Sequence, residues 1–413
     1  MKKDLLLTFF AEAVVLVSGL LVYKFAANLV GQDAFSQYAL CRRTVSFILP
    51  ALLMGLTVGI PRYIAFASSN NDYQRPDNYF LSGIVVLFIN VLLFMLVLNL
   101  FKRQFACLFF GSSEYHDLIF SISIMIIGLT LHAACYSYYR GNLLMIRANI
   151  LQVLNTGVVP VLVFVTHADI VRILSLTGLS WIITSAFALA LICKNLEWNK
   201  TKSLLPCAKE LLSYGIQRVP GDFGMAALLS LPAILTSHTS GIRAAGYVAF
   251  GTTILNMTGS VFAPFGLVLL PKASQLIASR NMVKLKDYIL KLAGLTLLLS
   301  LVGLIVFEIF AYEIIKIYLG ETFNDLVVIA RIIMLGSLAY TYYVSMRSIV
   351  DAFYFKAVNT LNIIIALFIF LIVSGFVCVL DGSNITLVSS FVGSLYVLGI
   401  LTFINIRKLL RST

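Results

Sequence analysis

Long apolar segments limit the fold of this chain more than any other feature. Twelve windows of about 20 residues carry almost no charge, and this is the length that a helix needs to cross the hydrocarbon core of a bilayer. They lie at residues 7–30, 38–60, 79–101, 118–139, 148–166, 173–193, 211–237, 244–270, 289–310, 326–350, 357–380 and 385–406. Only 12% of all residues are charged, about half the fraction in soluble proteins. The sequence therefore predicts an all-α membrane protein with about 12 transmembrane helices.

Basic residues predict how these helices are oriented. With the N-terminus in the cytoplasm, 20 Lys and Arg residues fall on the cytoplasmic side and 6 on the other side. Because short cytoplasmic loops accumulate Lys and Arg, both termini are predicted to be cytoplasmic. The net charge of +12 reflects this loop bias without a compact basic domain, so we expect no nucleic acid partner. The remaining basic residues lie inside predicted spans: Lys24, Arg42, Arg43 and Arg218.

An internal repeat divides the predicted helices into two halves. The pair Tyr38-Ala39 recurs as Tyr247-Val248, and further motifs recur at nearly the same offset. We therefore expect an N-terminal lobe of six helices at 1–206 and a C-terminal lobe of six helices at 207–413. An even number of helices per half makes the repeats parallel, with a binding site expected between them in a central cavity near the middle of the membrane.

The segment at 213–235 combines a membrane-spanning length with features that oppose membrane insertion. It contains Arg218, the pair Pro220-Gly221 and Asp222. A charged side chain at a helix centre costs about 2.5–3.5 kcal/mol on insertion scales, and a proline removes a backbone hydrogen bond. Broken helices are tolerated at membrane depth where they line a cavity. The pattern predicts that this segment borders a transport path, with Pro220 and Gly221 as a hinge that kinks the helix.

Three short motifs carry a family resemblance. Gly31, Phe35, Tyr38 and Ala39 form a Gly-x-x-x-Phe-x-x-Tyr-Ala motif between the first two helices, Ile60-Pro61-Arg62 closes the second, and YGIQRVPGD opens the seventh. Together with the twelve-helix pattern, they resemble the polysaccharide flippases of the multidrug/oligosaccharidyl-lipid/polysaccharide exporter superfamily over essentially the whole chain.

This resemblance implies a substrate, a location and partners. The expected activity is to move a polyprenyl-diphosphate-linked oligosaccharide, such as an O-antigen or capsule repeat unit, to the outer leaflet by alternating access. The expected location is the cytoplasmic (inner) membrane of a bacterium. The implied partners are this lipid-linked oligosaccharide, membrane lipids, a polysaccharide polymerase and a chain-length regulator.

The buried basic residues gain candidate roles from the same resemblance. Flippases of this kind hold an anionic diphosphate with cationic residues of a central cavity, which implies Arg42, Arg43, Lys24 and Arg218 as substrate-binding residues. Arginine suits a diphosphate because its planar guanidinium makes bidentate, charge-assisted bonds. Snorkelling to the interface is the alternative for the first three. Pairing with Asp222, four residues later, is the alternative for Arg218.

Two acidic residues are candidates for coupling or charge balance. Glu12 lies inside the first predicted span, where a carboxylate either carries a proton or balances a basic neighbour on another helix. Asp222 is expected to tune or balance Arg218. Coupling to H+ or Na+ remains open. No cofactor or metal is predicted, because the four histidines lack metal-ligand spacing and the chain has no Walker motif.

Other functions compete with the flippase hypothesis. A drug or cation antiporter of the same superfamily would be expected to carry deep acidic residues, whereas the deep charges here are mainly basic. A membrane glycosyltransferase or polymerase acting on lipid-linked sugars would need external acidic motifs or a large external loop, and the predicted external loops are short. A structural scaffold leaves the buried charges unexplained. Without a catalytic constellation, the sequence predicts a transporter rather than an enzyme.

Overall fold

The chain folds into two compact units of helices. The computed structural model describes residues 2–69, 75–196, 204–278, 282–354, 357–380 and 382–411, with side chains at all of these positions except 2–5, 263–278 and 282. Unit 1 comprises Met1–Phe223 and unit 2 comprises Gly224–Thr413. Over these ranges the chain forms helices and no strands, which confirms the all-α class. The compact units place residues 207–223 with the first half, whereas the lobe boundary expected from the repeat lies at 206/207.

Unit 1 contains ten complete α-helices and two π-helical segments within the described ranges. The α-helices are α1 (Lys2–Phe25), α2 (Gln32–Leu53), α3 (Leu56–Ser69), α4 (Pro76–Leu100), α5 (Lys102–Phe110), α6 (His116–Gly141), α7 (Met145–Gln152), α8 (Val159–Thr166), α9 (Ile170–Lys194) and α10 (Leu204–Ile216). The π-helical segments are Ala26–Val30, which continues α1, and Val153–Val158, which joins α7 to α8.

Helix α6 lies at the centre of unit 1. It packs against α9, α3 and α4. Gly128 of α6 faces Gly178 of α9 so closely that a Cβ at Gly128 would lie 2.8 Å from the Gly178 carbonyl oxygen. Small residues at helix interfaces let backbones approach in this way, which increases packing between membrane helices. The glycine pair therefore fixes the separation of the two central helices.

Unit 2 contains the remaining α-helices of the described ranges. They are α11 (Val219–Ala278), whose first residues belong to unit 1, α12 (Met282–Leu319), α13 (Asn324–Leu335), α14 (Ser337–Phe353), α15 (Val358–Leu380) and α16 (Asn384–Arg411). Helix α16 packs against α15, α14 and α13. Helix α11 is interrupted at Gly241, whose φ of +79° and ψ of 176° are not helical.

The number of possible membrane spans agrees with the predicted class. Nine of the described helices are long and apolar enough to cross a membrane, and the number rises to 11 if each of two bent helix pairs is one span. One of the nine, Val219–Phe262, has 44 residues, a length of about 66 Å, or twice the hydrocarbon thickness. Counting its two arms on either side of Gly241 separately gives the twelve spans that the sequence predicts.

The second predicted span differs from the structure in its bounds and its end. The segment consists of α2 and α3, bent by 43° at their junction, and α3 runs through Pro61 to Ser69. The expectation that Ile60-Pro61-Arg62 closes this helix is therefore wrong. Proline cannot donate to the carbonyl four residues earlier, which belongs to Thr57. Ser137 of α6 donates its hydroxyl to that carbonyl at 3.4 Å, and this bond lets the helix continue.

Candidate functional site

A single glycine connects the first two spans. Gly31 has a φ of +101° and a ψ of 178°, a backbone conformation open essentially to glycine alone. Its N–H donates to the Ala26 carbonyl at 3.1 Å, and its own carbonyl accepts from the N–H of Phe35 at 2.9 Å. The chain therefore reverses within one residue, which explains why the sequence motif begins with glycine.

An aromatic cluster holds this turn together. The ring of Tyr23 lies 5.8 Å from that of Phe35 and 5.2 Å from that of Tyr38, and Tyr38 lies 4.9 Å from Phe164. All four side chains are buried, and edge-to-face packing of this kind adds about 0.5–1.5 kcal/mol per pair. The cluster thereby fixes α1, α2 and α8 relative to one another.

The three cationic residues predicted in the first two spans differ in exposure. Arg43 is buried, Arg42 is half-buried and Lys24 is exposed. Arg42 interacts electrostatically with the phenols of Tyr38 and Tyr23, and Lys24 directly follows Tyr23. Because α2 begins at Gln32 and not near Tyr38, both arginines lie about 15 Å along the helix, deeper than the sequence predicts. Snorkelling becomes less favourable at that depth.

Glu12 of α1 has Arg140 of α6 as a basic neighbour on another helix. Both side chains are exposed, and the Arg140 guanidinium lies 5.6 Å from the centroid of the Tyr136 ring. A basic neighbour fits charge balance, one of the two alternatives left open by the sequence, and the choice between charge balance and a proton carrier stays a prediction.

A polar network crosses the middle of unit 1 and was missed by sequence reasoning. His132 bonds to the side-chain oxygen of Gln152 at 2.9 Å, and the amide of Asn155 donates to the other ring nitrogen at 3.0 Å. The same amide donates to Ser185 at 2.9 Å, and Trp181 of α9 donates to the Asn155 carbonyl. Asn155 lies in a π-helical segment, a distortion that is frequent at functional sites. The sequence contained one indication of this network, namely several polar residues within apolar spans.

The predicted hinge segment is broken slightly before its proline. Helix α10 ends at Ile216 and α11 begins at Val219, so Pro220 occupies the first turn of a helix, where its missing N–H costs nothing. The N–H groups of Gly221 and Asp222 both donate to the Arg218 carbonyl at 3.1 Å. The break thus lies at 217–218, and Pro220 starts the new helix instead of kinking an existing one.

The break before α11 packs against the break between α2 and α3. Gly55, with a φ of +68°, lies so close to Gly215 that a Cβ on it would be 2.8 Å from the Gly215 carbonyl oxygen. A Cβ on Gly215 would in turn overlap the carbonyl oxygen of Met54. Two interrupted helices therefore cross in direct backbone contact. Only glycine permits so close an approach.

Arg218 and Asp222 lie at the break between α10 and α11. Both side chains are exposed and lie at the helix break, just before the boundary between the two units at Phe223 and Gly224. A common binding site for Arg218, Arg42, Arg43 and Lys24 remains a prediction.

Comparisons with known proteins identify the class to which this fold belongs. An inward-facing multidrug resistance transporter of the MATE family, in the MOP superfamily, is 14% identical with a TM-score of 0.82 and covers 96% of this chain and 95% of its own. The lipid II flippase MurJ, in an inward closed conformation, is 13% identical with a TM-score of 0.75 and covers 98% and 88%. A MOP superfamily transporter from Pyrococcus furiosus is 14% identical with a TM-score of 0.64 and covers 98% and 94%. The chain is therefore a multi-pass membrane protein with the fold of the MOP superfamily transporters.

The family within this class follows from the sequence match. Residues 2–277 match the family described as polysaccharide biosynthesis protein, and because the match covers more than half of the chain, the protein belongs to that family. A comparison with curated protein sequences gave no match. The structural similarities, all at 15% identity or below, show the fold alone. Family and fold together confirm the resemblance found in the sequence.

Proposed function

We propose that the protein is a flippase that moves a polyprenyl-diphosphate-linked oligosaccharide across the bacterial cytoplasmic membrane by alternating access. Membership of the polysaccharide biosynthesis family supports a glycan substrate. The fold shared with a lipid II flippase supports a lipid-linked one. The O-antigen or capsule repeat unit, the cytoplasmic termini and association with a polymerase and a chain-length regulator belong to the same proposal.

The observation that carries this proposal is the adjacent arginine pair inside α2. Arg43 is only 6% exposed, and the half-buried Arg42 has Tyr38 and Tyr23 as electrostatic neighbours. Charged residues inside membrane spans commonly mark a transport path, and a guanidinium binds a diphosphate through bidentate, charge-assisted bonds. A diphosphate matches this chemistry.

Two features of unit 1 support a conformational role for the segment around Pro220. The Gly55–Gly215 contact fixes the end of α10 to the α2–α3 junction, while the helical pattern is interrupted at 217–218 before α11 begins. A few residues at an element terminus commonly absorb the backbone rotation of a hinge. Pro220 and Gly221 would then mark the start of the part of α11 that rotates about the hinge. Arg218 and Asp222 would change position when this rotation occurs.

A specific observation also supports ion coupling. The His132–Asn155 network places a titratable ring inside unit 1. Proton relays in transporters use such groups. Coupling to H+ or Na+ is therefore part of the proposal, and a drug or cation antiporter is the second candidate function.

A complementation experiment tests the flippase proposal. In a deletion strain, Arg42→Ala and Arg43→Ala variants at matched protein levels should restore little surface glycan and should accumulate lipid-linked precursor on the cytoplasmic side. Arg172→Ala is the matched control, because Arg172 is exposed and only 3.9 Å from Asp169, where ion pairs contribute little. Normal precursor delivery to the outer face, with only chain growth stopped, would instead indicate a polymerase. A deletion strain with normal glycan but altered drug resistance would favour the antiporter.

A further inference from the structure

A cavity opens at one end of unit 1, away from the residues assigned above. Its volume is about 200 Å³, and its lining includes Tyr138 and Tyr139 of α6, Arg147 of α7, and Leu191 and Asn195 at the end of α9. At about 30 Å³ per water molecule, the cavity has room for roughly six waters, more than one phosphate group needs. The proposed transport function does not explain this space.

The polar side of the cavity suits an anion. Arg147, Tyr138 and Tyr139 all line the cavity, and Arg147 is an electrostatic neighbour of both phenols. Asp77 of α4 also interacts with Tyr138 but does not line the cavity. The lining therefore carries a formal positive charge and no negative one. Charge-assisted bonds from a guanidinium and neutral bonds from phenols are the contacts that a phosphate oxygen accepts.

The surroundings of the cavity suit a lipid rather than a free ion. Its lining residues lie at the ends of helices that form candidate membrane spans or directly beside those ends, as Leu144 and Asn195 do. The adjoining turn and the start of α7 expose large apolar side chains, with Leu143 at 75%, Ile146 at 59% and Ile150 at 55% exposed. Leu143 has a φ of +57°, a conformation that costs about 1–2 kcal/mol for a non-glycine residue. A strained turn that projects leucine outward is expected where that side chain enters the acyl region of a bilayer.

We propose that this cavity binds the phosphodiester headgroup of an anionic glycerophospholipid. Arg147 contacts the phosphate, Tyr138 and Tyr139 donate hydroxyl hydrogen bonds to its oxygens, and Leu191 packs against the glycerol and upper acyl carbons. Basic cavities between membrane helices are suited to such headgroups. The leaflet is the cytoplasmic one if the proposed orientation holds, whereas the site itself does not depend on which substrate is transported.

Native mass spectrometry of the purified full-length protein tests this site. The protein in detergent micelles is offered phosphatidylglycerol and phosphatidylcholine at equal concentration, and retained lipid is counted as mass adducts. The wild type should retain phosphatidylglycerol over phosphatidylcholine. Arg147→Gln should lower phosphatidylglycerol retention about fivefold, the effect of one cation near an anionic lipid, and Tyr138→Phe and Tyr139→Phe should lower it less. The phenylalanine variants keep the ring packing, so the test does not depend on one substitution.

Lys194→Gln is the matched control. Lys194 is exposed in the last turn of α9, beside the cavity but outside its lining, so this change removes the same charge without removing a contact. Equal retention of both lipids, equal losses in Arg147→Gln and Lys194→Gln, or full retention in Arg147→Gln would each overturn the proposal. A third arm adds inorganic phosphate: its failure to displace phosphatidylglycerol supports a lipid site, and displacement at an equal concentration would assign the cavity to free phosphate.

Discussion

Gly31 shows how a single residue determines the path of the chain between α1 and α2. Its backbone occupies the region near φ +101° and ψ 178°, and a Cβ there would meet no atom within 4 Å. The requirement for glycine at this position is therefore conformational rather than steric. The same backbone geometry recurs at Gly241, with φ +79° and ψ 176°, at the corresponding place in the second half of the chain.

We expect Gly31→Ala to destabilise the protein by about 1–3 kcal/mol, the cost of a non-glycine residue in this backbone region. The melting temperature of the purified protein in detergent measures the effect. Gly294→Ala is the control, because Gly294 lies in helix α12 with open space around it, where alanine is the better helix former by about 0.5–1 kcal/mol. A Gly31→Ala protein that melts with the wild type would show that the turn tolerates a side chain.

The sequence identifies individual charged residues but not the residues that surround them. Arg42 and Arg43 can be identified because they are charged residues within an apolar span. Their depth could not be predicted, since it depends on where α2 begins. His132 was dismissed because its partners Gln152, Asn155 and Ser185 are remote along the chain and meet it only after α6, the π-helical segment and α9 pack together.

At the scale of elements, the apolar periodicity of the sequence does not predict where the helices break. Met54 and Gly55 both have positive φ, which separates α2 from α3, and the break at 217–218 separates α10 from α11. Apolar periodicity predicts that a span exists but not that two spans are broken where they touch. Pro61 shows the converse, because a proline that would be expected to end a helix is accommodated by the hydroxyl of Ser137 on α6.

We expect Gly215→Ala and Gly55→Ala each to destabilise unit 1 by about 1–3 kcal/mol, the usual cost of overpacking a tight contact. Each adds a methyl group against the backbone of the other segment. The double variant should lose less stability than the sum, because both changes disrupt one contact. Gly59→Ala serves as the control, since its Cβ would lie 3.4 Å from a side-chain atom of Leu211, an ordinary contact. Additive losses in thermal unfolding would contradict a shared contact.

At the scale of the whole molecule, hydropathy and charge predict how often and in which direction the chain crosses the membrane. The basic bias predicts that residues 111–113 are external and that the end of α9 is cytoplasmic. Residues 111–113 come shortly before α6, and the second region is the C-terminal end of α9. The orientation can therefore be measured without perturbing the helical core.

A labelling experiment checks this orientation. In a cysteine-free background, a membrane-impermeant maleimide added to spheroplasts should label Ser113→Cys, which replaces an exposed residue. Lys194→Cys, also at an exposed position, should react only after permeabilisation. Complementation by each variant confirms that the protein is folded. The reverse labelling pattern would place both termini outside the cytoplasm and move the lipid cavity to the outer leaflet.

The sequence by itself determined the fold class, the approximate spans, the expected orientation and the identity of the unusual charges. These properties follow from local transfer energies, because each apolar segment is stable in hydrocarbon regardless of its neighbours. Only the tertiary structure decided which breaks meet, which residues contact His132 and which tyrosines line a cavity with Arg147. Such contacts join residues far apart in the chain and depend on close packing between helices, so no local pattern encodes them.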